Sequence, residues 1–282
     1  PLPPRIPIRV EARDADTGEH QVLNAEVPDE TAVGDPSGGS ALALAGPMAV
    51  SQAAFSVLES SPARLSGSMC VRIAVRERPR PIRFCNTYVG AGGGPQGDDA
   101  AIPGAALVAD VSDALSTIDA FKLGEVHVTS LGVRMTLERG LRQAYVLRAR
   151  APQVVRRGRH VRVGLTLQRV FGRRFTRTVS VRVPPDAPLG RRDMVLIGTP
   201  ADGAAAGDSV LDLGLGGEVP DDGAGPRSVS DLARGIAGLH RYDGVRATFP
   251  LPGARGGRGG GAYRDPDLRI SGRARVSVFV TR

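Results

Sequence analysis

Two cysteines, Cys70 and Cys85, are the residues whose type and spacing point most directly to a chemistry. The segment Cys70-Val71-Arg72-Ile73-Ala74-Val75-Arg76 alternates, with Val71, Ile73 and Val75 on one face. Ile82-Arg83-Phe84-Cys85-Asn86-Thr87-Tyr88 alternates too, and Glu77-Arg78-Pro79-Arg80-Pro81 between them reads as a turn. If these strands pair antiparallel with their apolar faces matched, both cysteines fall on the opposite, arginine-bearing face. A two-residue loop sets Cys70 directly across from Cys85, and a four-residue loop sets them diagonally. The expectation is a structural disulfide in an oxidising compartment, with two free thiols as the alternative. A metal site is not expected, because no histidine lies nearby in sequence and the C-x₂-C spacing is missing.

The histidines are His20, His127, His160 and His240. None stands four residues from another, and none flanks a His-Glu-x-x-His pattern, so none is expected to be a catalytic base or a ligand. Gly34-Asp35-Pro36-Ser37-Gly38-Gly39-Ser40 resembles the Gly-Asp-Ser-Gly-Gly-Pro nucleophile loop of trypsin-like peptidases poorly. Pro36 separates Asp35 from Ser37, and such a loop must hold hydroxyl and oxyanion hole in one geometry. Ser66-Gly67-Ser68 opens a strand and is no better placed. Asp98-Asp99 and Asp221-Asp222 lack the ligand spacing of a calcium loop. Gly90-Ala91-Gly92-Gly93-Gly94 follows a strand, as a dinucleotide fingerprint would, but Pro95 stands where the third glycine belongs. It and Gly256-Gly257-Arg258-Gly259-Gly260-Gly261 read as loops. No catalytic residue, cofactor or metal is therefore expected.

The elements that would position these residues are mostly short strands. Ile6 to Arg13 and His20 to Val27 form a hairpin around Asp14–Glu19. Pro47 to Leu58 reads as a helix with proline in its first turn, and Ala105 to Lys122 as a better one, with Leu107, Val111, Leu115 and Ile118 in one stripe. Val126 to Leu137 and Gln143 to Ala151 are strands. From Pro152 the strands become short: Val161 to Leu167, Thr176 to Val183, Met194 to Ile197. Ser228 or Ser230 caps a helix bearing Val229, Leu232, Ile236 and Leu239, and Val245 to Leu251 and Arg273 to Thr281 are strands around a glycine-rich loop from Gly253 to Ala262. The expected fold class is mainly β with a few helices. Residues 1–151 form an α+β domain with hairpins and two helices, 152–200 a small Ig-like β-sandwich segment, and 201–227 a linker. A helix and strands in 228–282 pack back on the sandwich.

Composition agrees with that class. The chain of 282 residues is 41% hydrophobic but only 4% aromatic, with no tryptophan, so aliphatic residues must fill the core. Gly (37) and Pro (22) suit many turns. The net charge of +8 is almost all arginine, Lys122 being the only lysine. The arginines are spread along the whole chain and often alternate with apolar residues inside strands, which reads as a solvated β surface and disfavours nucleic acid as a partner; a contiguous arginine groove would favour binding of an acidic polymer. No apolar run approaches the roughly 20 residues of a transmembrane helix. The start at Pro1, a few residues from a strand, suggests a fragment or processed product.

The order of segments resembles a known family. The run Ile6-Pro7-Ile8-Arg9-Val10…Asp14…Asp16-Thr17-Gly18-Glu19 opens it, followed by Arg83-Phe84-Cys85-Asn86-Thr87-Tyr88, the helix Ala105–Leu123, and Val126 to Leu137 with Arg142-Gln143-Ala144. Val155 to Val163, Val181 to Gly190 and Asp231-Leu232-Ala233-Arg234…Arg241-Tyr242-Asp243-Gly244-Val245 complete it. This is similar to the region downstream of the peptidase domain in serine peptidases of the stage IV sporulation protein B type from high-GC bacteria. The resemblance spans roughly residues 5 to 250. It implies a secreted or envelope-associated protein in which this chain is a non-catalytic accessory or interaction region. The partner would be another protein or an upstream peptidase domain. That family's Gly-Met-Ser-Gly-Ser-Pro motif does not occur here, so no catalytic residue is carried over. The alternative is a basic module that binds an acidic polymer or nucleic acid.

Overall fold

The computed structural model describes residues 4–29, 40–60, 62–91, 105–198, 226–238, 241–249 and 258–282. Among them the chain is mainly β, with a few helices. It divides into two compact units. One comprises 1–141 with 206–240, the other 142–205 with 241–282.

The first unit is a five-stranded sheet with helices on one face. Its strands are β1 (Arg5–Asp14), β2 (His20–Pro28), β3 (Arg64–Val75), β4 (Ile82–Ala91) and β5 (Val128–Arg139), in the order β2-β1-β5-β3-β4. β1 and β5 run parallel, and the other neighbours are antiparallel. Period-two alternation sets the two faces. Ile8, Val10 and Ala12 of β1 and Leu131, Val133 and Met135 of β5 are buried, while Arg9, Arg13 and Arg134 point to solvent.

Helix α1 (Ala41–Leu58) begins earlier than the expected Pro47, and proline sits inside it. The reason is the cap. Ser40 accepts the Ala43 N–H, and its own N–H and hydroxyl donate to Asp119 at 3.0 and 2.8 Å. Asp119 ends α2 (Ala105–Asp119), so its carboxylate satisfies donors at the positive end of α1. The expected stripe of α2 is fully inward: Leu107, Val111, Leu115 and Ile118 are all buried. Gly46 of α1 lies where a Cβ would stand 2.9 Å from the terminal methyls of both Leu115 and Leu131, so a larger residue there would push both leucine side chains aside. By length and composition α1 is apolar enough to cross a membrane, but half of it is buried in this unit. Ser228 caps α3 (Val229–Ala237), accepting the Asp231 N–H at 3.1 Å. This helix packs on β4 and α2, whereas the strands that follow it in sequence belong to the second unit.

The second unit is a sandwich of two sheets. One holds β13 (Arg269–Ser271), β6 (Gln143–Arg150), β8 (His160–Arg169) and β9 (Arg174–Arg182), in that order. The other holds β12 (Arg258–Arg264), β11 (Gly244–Phe249), β10 (Gly190–Ile197), β14 (Arg273–Thr281) and β7 (Val154–Arg156). Val163, Leu165, Leu167, Val179 and Val181 of the first meet Met194, Leu196, Ala247, Phe249 and Val278 of the second in one core. The sandwich therefore draws its strands from 143–197 and 244–281 together. Part of the glycine-rich run expected as a loop is strand β12. A Cβ on Gly261 would collide with the Ser180 carbonyl of β9, so β12 approaches β9 at this point only because residue 261 is glycine. The linker expected at 201–227, the loop at 34–39 and the Gly92–Asp99 stretch lie almost wholly outside the described residues.

Candidate functional site

Cys70 and Cys85 form a disulfide across the directly opposed Cys70↔Cys85 pair of β3 and β4. It lies on the solvent side of the sheet, with Cys70 exposed and Cys85 half-buried. Two residues on, Arg72 faces Arg83 in the same register. Opposed like charges disfavour that register, and the covalent link next to them holds it. Across β3, Arg134 is opposite Cys70, and Glu11 is opposite Arg134. Glu11 accepts from Arg134 at 2.9 Å and from Arg9 at 3.0 Å. The hydrogen bonds from Arg134 and then Arg9 hold the Glu11 carboxyl below the usual carboxylate range. This face thus mixes arginines with a carboxylate that neutralises part of them.

Among the serines and histidines singled out in the sequence, Ser66, Ser40 and His127 make contacts within the fold. Ser66 donates to the Gly140 carbonyl at 2.8 Å, Ser40 is the α1 cap, and Ser37 lies outside the described residues. The His127 ring is 2.7 Å from Glu77, whose carboxylate also accepts the His127 backbone N–H. Partial burial opposes ionisation of Glu77, yet those bonds hold it below its ordinary range. His20 and His160 are exposed, and His240 lies outside the described residues. Among the described residues, no three His, Cys, Asp or Glu side chains gather as a metal site would require.

Two buried polar knots were not legible beforehand. Asp14 is fully buried at the β1–β2 turn and receives the Asp16 N–H at 2.8 Å and the Arg139 guanidinium at 2.6 Å. Arg139 also donates to the Leu58 carbonyl, closing the C-terminal end of α1. Burial alone would raise Asp14, but these donors hold it below the usual carboxylate range. On α2, Asp110 accepts from Asn86 at 3.0 Å and from Tyr88 at 2.5 Å. Burial, with Asp110 beside it, pushes Asp113 up. Both knots lie within the packed layer between sheet and helices and act as cross-links there.

The outer face of the β13-β6-β8-β9 sheet is different. Its rows run Arg148–Thr166–Thr176, Arg150–Gly164–Thr178 and Tyr145–Gln168–Arg174, then Arg162–Ser180 and His160–Arg182. Every arginine in these rows is exposed, and none forms an ion pair among the described residues. Arg174 only positions Gln168, at 2.9 Å. The sequence explains this for β6, β8 and β9: no Asp or Glu occurs between Glu138 and Asp186. That gap could have been read from the chain, but not the alternation that puts so many of its arginines on one face. The surface offers guanidinium, hydroxyl and amide donors about 6.8 Å apart along each strand, the two-residue repeat of a β-strand. Guanidinium forks and hydroxyls are the groups that bind phosphate or carboxylate oxygens.

No family model matches this chain, and no curated protein or solved structure matches it either.

Proposed function

We propose that this chain is a non-catalytic binding module of an extracytoplasmic protein and that the outer face of the β13-β6-β8-β9 sheet holds a linear anionic polymer. The observation that carries this reading is the row of exposed Arg148, Arg150, Arg162, Arg174 and Arg182, which form no ion pair among the described residues, on a sheet whose four strands contain no Asp or Glu. An arginine already neutralised by a neighbour gains little from a ligand. One that is not releases counterions from the polymer when it binds, and that release drives association. Guanidinium and hydroxyl donors on a pleated sheet contact backbone charge, so recognition rests on charge and not on sequence. If four arginines engage, log K should fall against log salt with a slope of about −3. The Cys70–Cys85 disulfide favours an oxidising compartment, where anionic envelope polymers occur.

The reading is tested by equilibrium binding of labelled inorganic polyphosphate to the full chain, followed by fluorescence anisotropy. Saturable binding that weakens with salt is expected. Failure to bind at low salt would remove the proposal.

A second reading keeps the chain as the accessory region of a secreted or envelope-associated serine peptidase-like protein, touching an acidic protein or its own upstream domain. The segment order from Ile6 to Val245 and the disulfide support it. It replaces the first if an acidic protein binds while polyphosphate does not. Hydrolysis of an unfolded protein substrate by the purified chain would overturn both.

A further inference from the structure

The sheet edges of this protein are not guarded alike. β7 and β13 are three residues long, β12 lies against β9, and helix α3 packs on β4. β2 is a long edge: it ends the strand order of its sheet, and its nine residues keep one register with β1 from Arg5↔Pro28 to Arg13↔His20. It carries no lysine or arginine, no bulge and no proline before Pro28, which are the features that usually keep an edge from pairing. Among the described residues no further strand lies beside it.

The hydrogen bonds of the β1–β2 hairpin fix which way the backbone of β2 points. Asp14 N–H donates to the Glu19 carbonyl at 2.9 Å, and Asp29 N–H to the Pro4 carbonyl at 2.8 Å. Bonded pairs alternate along an antiparallel ladder, so Gln21, Leu23, Ala25 and Val27 turn their N–H and C=O groups to β1. His20, Val22, Asn24 and Glu26 turn theirs to the open edge. A row of donors and acceptors at that spacing fits another extended strand. Val22 is 38% exposed and Leu23 half-buried, so apolar surface is there to be covered as well.

The residues of β2 suit an antiparallel copy of the same strand. Centred on Leu23, such a pair sets His20 opposite Glu26 of the second copy and Val22 opposite Asn24, each twice by symmetry. Every outward N–H then meets a carbonyl, an imidazole faces a carboxylate at both ends, and the two Leu23 side chains meet at a narrow, non-hydrogen-bonded position. Glu26 accepts from the exposed Arg5 at 3.2 Å, which leaves carboxylate lone pairs for the second copy. Pro28, which has no N–H to give, falls beyond the ladder. Centred on Asn24 instead, Pro28 would face His20 and Glu26 would face Val22, so a donor and an imidazole–carboxylate contact are lost at each end. We propose that two copies of this chain associate through β2, antiparallel about Leu23, joining two five-stranded sheets into one. This goes beyond the polymer-binding reading and uses none of its residues.

The test is sedimentation equilibrium of the full chain, without any polyanion, over a range of concentrations. The mass should rise from 29.4 kDa toward twice that value. Asn24→Pro removes an outward N–H without touching a bond to β1. It should weaken association about twenty-five-fold, two hydrogen bonds at roughly five-fold each. Glu26→Arg should weaken it about ten-fold, and so should His20→Glu, which opposes two carboxylates. His20→Glu combined with Glu26→Arg should restore association. Within one chain these two positions stand about 20 Å apart along the extended strand, so a second copy has to bring them together. A mass that stays at 29.4 kDa at every concentration overturns the proposal and leaves the edge to an extended segment of another protein. Association that the double variant does not recover, or that Asn24→Pro leaves unchanged, overturns it as well.

Discussion

On the outer face of the β2-β1-β5-β3-β4 sheet, Arg9 and Arg134 both donate to Glu11, and a disulfide ties β3 to β4 beside the opposed Arg72 and Arg83. On the outer face of the β13-β6-β8-β9 sheet, Arg148, Arg150, Arg162 and Arg182 meet hydroxyls and amides but no carboxylate. The same side chain thus does two jobs. In the first unit part of its charge is neutralised internally and serves the fold. In the second it is left to solvent, where it weakens the fold by self-repulsion and is open to an outside anion. The difference teaches that arginine content alone, which is high throughout this chain, says little about binding. The local supply of carboxylates decides it.

The largest expected effect tests the covalent half of this contrast. The disulfide closes a loop with a sequence separation of 15. Reducing it, or making Cys70→Ser with Cys85→Ser, should lower the stability of the first unit by about 3 kcal/mol and leave the sandwich transition in place. Calorimetry with and without a thiol reductant checks this. A shift of both transitions, or of neither, would break the assignment of the disulfide to one unit.

The next effect is on acid stability. Asp14 and Glu77 are both held below their ordinary carboxyl ranges in the folded first unit. Their contribution is therefore fully present above the unfolded carboxylate values of about 4 and disappears as pH falls through the lowered folded values. The first unit should lose stability from about pH 4 downward. Asp14→Asn should flatten that limb, as followed by circular dichroism across an acid titration. The β13-β6-β8-β9 face has no carboxylate to protonate, so acid should not abolish its charge. An unchanged acid limb in Asp14→Asn would remove Asp14 from the account.

A smaller effect sharpens the comparison within the first face. Arg72→Gln removes one of two opposed cations and should stabilise the first unit by a few tenths of a kcal/mol at low salt, with the gain vanishing at high salt. Denaturant midpoints at two salt concentrations measure it. A loss of stability would mean that the pair is held by contacts other than the register.

Much of this arrangement is legible in the residues themselves. Alternation around Cys70 and Cys85 predicts the matched faces and a direct or a diagonal opposition, of which the structure shows the direct one. The Leu107–Ile118 stripe and a capping serine at 228 or 230, found to be Ser228, announce α2 and α3, because both signals are local. What fails is what depends on distant partners. α1 starts at Ala41 because Asp119 sits beside Ser40, and no local pattern shows that. The strand at Arg258–Arg264 looks like a loop because Gly261 answers to the backbone of β9. Helix α3 joins the first unit because its buried Leu232 and Ile236 face β4 and α2, a choice its own sequence does not state. The basic face was half legible: the acid-free stretch is visible in the chain, but pairing of β6, β8 and β9 is what turns it into a surface.

The salt dependence of polyphosphate binding tests the central claim most directly, measured for the unsubstituted chain and two triple variants. Arg148→Gln with Arg150→Gln and Arg162→Gln should flatten the slope of log K against log salt by about 0.7 per engaged arginine, roughly two in all. Arg9→Gln with Arg13→Gln and Arg134→Gln should leave the slope where it was. Equal flattening by both variants, or flattening by the second alone, would contradict the claim that the acid-free sheet of the second unit is the binding face.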